Sequence, residues 1–271
     1  MEFTENKGQW DPKVKYRGDF NTGSFFLEDK GFTVLLHNAE DIKRLSETVH
    51  GHGTGIDSAE KKHAVPAPPP DKLVVNSFAY KVRFLGASAK AAQVPGKAAD
   101  SYSNYFIGSD ASKWSSNCRI FGAVSYQEIY PNIDIRYYSD AGGRLKYDFI
   151  VKPGGNPDYI AMEYTGPKLS IKEKELLIST PVGEVRELYP YTYQSATGKN
   201  QEVDCKYVVK GNVVTFKVGQ YDPKATLIID PSIIFSSFTG SSADNWGFTA
   251  TPGPDGSLFA GGISFAAGYP T

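Results

Sequence analysis

Leu145-Lys146-Tyr147-Asp148-Phe149-Ile150-Val151 alternates apolar and polar residues with a period of two, the pattern of a strand with one buried face. Ile133-Asp134-Ile135-Arg136-Tyr137-Tyr138 repeats it just upstream, and Ser139-Asp140-Ala141-Gly142-Gly143 between them is rich in turn formers. Two such runs around a short turn predict an antiparallel hairpin. The same pattern extends outward in both directions. Towards the N-terminus lie 120–126, the long run 74–85 and 14–20, with a further hairpin (24–28 and 32–37) around Asp29-Lys30-Gly31. After Pro153-Gly154-Gly155-Asn156-Pro157 come shorter, evenly spaced runs at 160–164, 169–172, 176–179, 185–188, 191–194, 202–209, 213–218 and 226–229. Composition agrees. The 17 Tyr and 16 Phe favour pleated surfaces, while 27 Gly and 17 Pro divide the chain into short elements. The expected fold is all-β, with sandwich-like antiparallel sheets over 1–230. A second β subdomain has room to begin near 153–157.

One long stretch departs from this grammar. Residues 38–72 hold three of the four histidines, clustered glycines and Pro66-Ala67-Pro68-Pro69-Pro70. Such a composition buries too little apolar surface to offset chain entropy, so a mobile loop is expected, with one or two helical turns over 39–45. The small-residue stretch 87–99 reads as another exposed connection. With 29 Lys+Arg against 30 Asp+Glu, the net charge of -1 gives no electrostatic reason to expect nucleic acid or an anionic membrane as partner. No run is long enough for a membrane-spanning helix, so membrane insertion is not expected. Met1 runs straight into a polar segment without the apolar core of a leader. Cys118 and Cys205 leave two readings open, one disulfide or two buried thiols.

Residues with chemical potential are few. His50 and His52, with His37 and His63 nearby, have a metal-ligand flavour, and so has Asp255 in an Asp-Gly turn or Asp140 near Gly142. None shows the ligand number or spacing of a dedicated zinc or calcium site. Glu128, Asp134, Asp148 and Glu163 lie on or beside strands, but glycoside hydrolysis needs a pair at fixed separation with one raised pKa. Neither a Gly-x-Ser-x-Gly elbow nor a Gly-rich phosphate loop occurs. The sequence therefore predicts no catalytic residue, no cofactor and no enzyme. Most of the aromatics alternate as core residues do. Trp10 and Trp114 lie outside clear strands and, with Trp246, are the candidates for stacking against a ligand.

Several segments in fixed order resemble a known family. Phe3-Thr4-Glu5-Asn6-Lys7-Gly8-Gln9-Trp10 looks like the opening of the DUF7948-like domain at the start of large secreted proteins of Bacteroidetes. Asn104-Tyr105-Phe106-Ile107-Gly108 with Lys113-Trp114 is similar to a second motif of that family, and 124–134, 145–154 and Ile229-Asp230-Pro231 to three more. Residues 231–271 resemble an incomplete SBBP-type repeat, which implies the first strands of a propeller-type repeat there. The resemblance implies an exported protein whose signal peptide has been removed, located outside the cell or on its surface. Such proteins often carry a gliding-motility-associated domain read by the type IX secretion system. The implied role is that of a structural or adhesive module capping or presenting downstream repeats. Its partners would be other domains of the same polypeptide, and a surface polysaccharide or protein. A carbohydrate-binding module using exposed aromatics is the alternative reading, and a hydrolase-associated domain a third.

Overall fold

The structure, a computed structural model, describes residues 1–49, 74–140, 145–196, 199–235, 245–252 and 258–264. It divides into two compact units, Met1–Ser236 and Ser237–Thr271. The first unit opens with β1 (Phe3–Glu5), β2 (Val14–Phe20), β3 (Gly23–Glu28) and β4 (Gly31–His37), followed by helix α1 (Ala39–Val49) and β5 (Ser77–Phe84). Then come β6 (Ala92–Pro95), β7 (Ala98–Tyr105), β8 (Ser115–Phe121), β9 (Ala123–Tyr130), β10 (Ile133–Ser139) and β11 (Leu145–Val151). β12 (Ala161–Thr165), β13 (Lys168–Lys172), β14 (Glu175–Thr180) and β15 (Gly183–Glu187) lead to β16 (Tyr191–Ala196) and β17 (Lys199–Glu202). The unit closes with β18 (Cys205–Lys210), β19 (Val213–Val218), β20 (Leu227–Asp230) and β21 (Ile233–Phe235). In the second unit, β22 (Asn245–Pro252) pairs antiparallel with β23 (Leu258–Ser264).

The strands of the first unit form three antiparallel sheets. A ten-stranded sheet runs β18-β19-β12-β5-β4-β3-β2-β1-β8-β7, a seven-stranded sheet β17-β16-β20-β11-β10-β9-β6, and a four-stranded sheet β13-β14-β15-β21. The all-β, sandwich-like reading holds. After residue 157, β12, β18 and β19 join the ten-stranded sheet and β16, β17 and β20 the seven-stranded one, whereas β13, β14, β15 and β21 form the third sheet by themselves. β21 pairs with β15, which carries the first unit past residue 230.

Side-chain alternation explains why the two large sheets face one another. On β11 every second residue is buried, from Leu145 to Val151, and on β4 the buried set is Phe32, Val34 and Leu36. A period of two puts each set on one face, which is stable only when another apolar face covers it. Phe84 of the larger sheet meets Phe149 of the smaller at 6.0 Å between ring centroids, and Phe25 meets Tyr137 at 5.8 Å. Inclined ring pairs of this kind add to plain area burial. The hairpin turn before β4 needs glycine, because a Cβ on Gly31 would lie 2.0 Å from the Val82 carbonyl oxygen.

All three sheets converge on one acidic side chain. Glu187 ends β15 and is 1% exposed. The hydroxyl of Tyr147, from the seven-stranded sheet, donates to its Oε2 at 2.7 Å, and that of Tyr164, from the ten-stranded sheet, to its Oε1 at 2.8 Å. Tyr207 reaches Oε2 at 3.5 Å and donates to the Leu188 carbonyl at 3.0 Å. Burial lifts the Glu187 carboxyl above its usual range, and the three hydroxyls pull it part of the way back.

One expectation changes, and one open question is answered. The stretch from residue 38 begins as a helix of three turns, longer than the one or two turns expected over 39–45. Asn38 caps it, its Oδ1 accepting from the Asp41 N–H at 3.1 Å, and Glu40 and Asp41 supply the acidic first turn that helices favour. Asp41, itself buried, accepts from the backbone and side-chain amides of Asn76 at 2.9 and 2.8 Å and so ties the helix to the approach to β5. The rest of the expected loop, 50–72, lies outside the described residues. The cysteines form no bridge: Cys118 on β8 and Cys205 on β18 are both buried and free, with β19, β12, β5, β4, β3, β2 and β1 between them in the sheet order. Burial pushes the Cys205 thiol up to about 11, which suits an inert core thiol.

Replacing Glu187 by Ala removes the shared acceptor of the three tyrosines and opens a void between the sheets. We expect a loss of about 3 kcal/mol in urea unfolding, with Glu187→Gln losing less because it keeps one acceptor oxygen.

Candidate functional site

The N-terminal motif folds into a loop around one side chain. Asn6 follows β1, and its amide donates to the carbonyls of Val14 (2.8 Å), Asp11 (3.0 Å) and Trp10 (3.4 Å). Its Oδ1 accepts from the N–H groups of Gly8 at 3.0 Å and Trp10 at 3.3 Å. Gln9 adds a second clamp, donating to the Glu5 carbonyl at 2.8 Å and accepting from the Lys7 N–H at 2.7 Å. Asn and Gln serve here because each carries donor and acceptor together and can satisfy loop backbone groups that no sheet reaches. Trp10 is thereby held half-buried, with the Arg17 guanidinium 5.5 Å from its ring centre.

The second motif is the connection between β7 and β8. Asn104 Oδ1 accepts from the N–H of Asn117 at 2.8 Å, which supports the left-handed backbone of Asn117 (φ 53°). Asp110 caps the short turn Ala111–Lys113, accepting from the Ser112 N–H at 3.1 Å and its hydroxyl at 2.6 Å. These two bonds hold the Asp110 carboxyl below its usual range. Trp114 Nε1 donates to the Gly108 carbonyl at 3.1 Å, and its ring meets Phe106 edge to face at 5.8 Å.

β1 pairs with β8, with Phe3 opposite Phe121, and this brings the two loops together. Trp10 meets Tyr105 edge to face at 5.1 Å, while Ser115 donates to the Lys7 carbonyl at 3.3 Å. Asn6, Gln9, Trp10, Lys15 and Lys113 line an open recess of 630 Å³ on the N-terminal loop. Glu5, on β1, is pushed up by burial, but hydrogen bonds and charge from Arg119 outweigh this and hold it below the usual range. Phe106 (60%), Ile107 (77%) and Trp114 (45%) remain exposed on this rigid frame. Their polar neighbours are already engaged with backbone or with each other. Trp10 shares its recess with Lys15 and Lys113, whose ammonium groups pair with Asp29 at 3.5 Å and Asp110 at 3.7 Å.

The remaining motifs are structural. Lys152, just after β11, bridges Glu128 at 2.9 Å and Asp134 at 2.8 Å. Glu128 accepts from the Asn132 N–H and Asp134 from the Glu128 N–H, both at 2.9 Å, across a tight turn with φ 55° at Glu128 and 59° at Asn132. The Glu-Ile-Tyr-Pro-Asn-Ile-Asp and Lys-Pro-Gly motifs thus fasten one another. Of the four carboxylates singled out from sequence, Glu128 and Asp134 share Lys152, and Glu163 pairs with Arg83 at 2.7 Å. Asp148 lies on β11 opposite Asp230 of β20, by the register Phe149↔Ile229.

Trp10 packs on Tyr105 and Trp114 on Phe106, successive residues at the end of β7. Trp246 lies on β22 of the second unit, and its side chain is outside what is described. His50, His52 and Asp255 also fall outside the described residues, among which no group of three or more potential ligands is placed to hold a metal. His37 is engaged, its Nδ1 lying 2.7 Å from the Ser77 hydroxyl. Sequence reasoning missed Ile107 and Arg17. Tyr105-Phe106-Ile107 is an unbroken apolar run at a strand end, where alternation cannot bury all three, and that was the available signal.

Residues 3–232 match the family described as a domain of unknown function, DUF7948, and the chain belongs to it. No curated protein and no solved structure matches the chain.

Asn6→Ala removes the hub of the N-terminal loop. We expect about 2 kcal/mol of destabilisation on thermal unfolding, together with loss of the near-ultraviolet dichroism contributed by Trp10.

Proposed function

We propose that this chain is a non-catalytic structural and adhesive module of a large exported bacterial cell-surface protein, binding through the Trp10–Trp114 cluster and presenting the segment that follows. The observation that carries this reading is the exposure of Phe106, Ile107 and Trp114 on loops already fixed by backbone hydrogen bonds. Large apolar side chains held out in a contiguous patch mark interaction sites, and a frame rigid before binding spares the entropy of ordering it. The engagement of Glu128, Asp134 and Glu163 in ion pairs favours a non-catalytic role. The presenting role draws on β20, a strand inside the seven-stranded sheet, and β21, zipped to β15; together they give whatever follows a firm attachment. Export through a cleaved signal peptide, a Bacteroidetes source, an SBBP repeat after residue 231 and a type IX context belong to the same reading and rest on the resemblance of the motifs.

The recess beside Trp10 favours a carbohydrate as one class of target. An aromatic side chain next to Lys15 and Lys113 supplies both a stacking surface and hydrogen-bond donors.

The test is binding of the chain to immobilised bacterial and plant polysaccharides and to intact bacterial cells, compared with a Phe106→Ala/Ile107→Ala double variant. Both side chains are exposed, so the variant should unfold at nearly the same temperature. At least tenfold weaker binding is expected, about 1.4 kcal/mol. Equal binding by the folded variant would remove the cluster from the account, and cleavage of any polysaccharide would remove the non-catalytic reading.

A further inference from the structure

The outer face of the seven-stranded sheet holds a second group of titratable side chains, remote in sequence from the aromatic cluster. β10, β11, β20 and β16 lie side by side, and the register Phe149↔Ile229 places Asp148 of β11 directly opposite Asp230 of β20. Two carboxylates facing each other across neighbouring strands repel when both are charged. Among the described residues only Asp230 has a direct ion pair. Lys146 Nζ donates to Asp230 Oδ2 at 2.6 Å, with both side chains largely buried at 18% and 15% exposure. The Tyr138 hydroxyl donates to Asp148 Oδ1 at 3.2 Å. Asp230 Oδ1 is buried and receives no hydrogen bond from a donor among the described residues.

That orphaned oxygen is explained by a proton. A protonated Asp148 can donate across the strand pair to Asp230 Oδ1, which satisfies the buried acceptor and removes the like-charge contact in one step. We propose that Asp148 and Asp230 share a single proton and form a pH-sensitive clasp that fastens β20 to β11. β20 is the strand from which the chain leaves this sheet, through Pro231, so the clasp sits at the exit. This inference stands apart from the adhesive reading and does not depend on it.

The other groups facing the pair do not supply a second positive partner. From β10 come Tyr138 and Arg136, whose exposed guanidinium lies 5.0 Å from the Tyr138 ring centre. Arg136 is the cross-strand neighbour of Asp148, but the Asp148 carboxyl takes its hydrogen bond from Tyr138. From β16 come Tyr191 and Tyr193, rings 5.4 Å apart, with Tyr191 directly opposite Asp230. Burial first, and then the charge of Asp230, push the Asp148 carboxyl up to about 7. A folded-state pKa above the ordinary value of 3.8 means the folded chain holds the proton more tightly than the unfolded one. The stability this contributes is complete below 3.8 and is lost as pH rises through about 7. Glu187, also raised, contributes with the same sign, and Glu5 and Glu128, both lowered, with the opposite sign. A single pH curve therefore cannot isolate the clasp, whereas a difference between two chains can.

Asp148→Asn isolates it, because the amide keeps an acceptor for Tyr138 and carries a permanent donor towards Asp230. Thermal unfolding of the whole 271-residue chain between pH 5 and pH 9 is the experiment. The variant and the wild type should melt together near pH 5. Above pH 7 the wild type should melt several degrees lower than the variant. Parallel curves across the range would overturn the proposal. Should the variant fail to fold, the wild type labelled with carbon-13 at its aspartate carboxyls provides an independent reading. One carboxyl titrating near pH 7 is expected, and titration of every Asp below pH 5 would equally sink the clasp.

Discussion

The fold depends on a polar contact inside an apolar core. A two-layer sandwich needs only two complementary faces, but here a third, smaller sheet must dock as well, and Glu187 is where it does so. An isolated buried carboxylate is costly, whereas one that accepts hydroxyls from both larger sheets is tolerated and fixes its partners' positions. The rings that deliver those hydroxyls also fill the core: Tyr147 packs against Phe149 at 5.7 Å and Tyr164 against Tyr80 at 6.4 Å. Hydrophobic burial supplies most of the driving force, and the tyrosine–glutamate contact sets how the three layers register.

From that frame the family motifs acquire separate jobs. Asn6, Gln9, Asn104, Asp110, Glu128, Asp134 and Lys152 all serve the backbone of loops and turns that no strand ladder reaches. Trp10 is held between Arg17 and Tyr105. Phe106, Ile107 and Trp114 do none of this work to a degree that matches their size, and they face solvent. A sequence signature can thus be mostly architecture and still carry a small outward-facing remainder, which is where a binding role is best sought.

Much of the fold was legible because alternation is a strong signal: β4, β5, β10 and β11 all read correctly from period two alone. Glu187 was not, since a glutamate in Gly-Glu-Val-Arg-Glu reads as an outward residue, and only its three tyrosines, all distant in sequence, explain its burial. Helix α1 was read too short, because its apolar content is low and a single Asn38 cap and two early acids were outweighed by the glycines and prolines that follow. For the site, Trp10 and Trp114 stood out by lying outside strands. The meeting of Trp10 with Tyr105 was illegible because it relies on β1 pairing with β8, a contact across more than a hundred residues whose register no local pattern specifies. Likewise Asp148 and Asp230 lie on strands far apart in sequence, and only the β11–β20 register makes them neighbours.

The central claim, that the rings at the β7–β8 end form the contact surface, is tested most directly by hydrogen–deuterium exchange of the chain with and without intact bacterial cell envelopes. Added protection is predicted at residues 104–116 and 6–14, with the core strands around Glu187 unchanged. Protection confined to other surfaces would contradict the account and move the site elsewhere on the molecule.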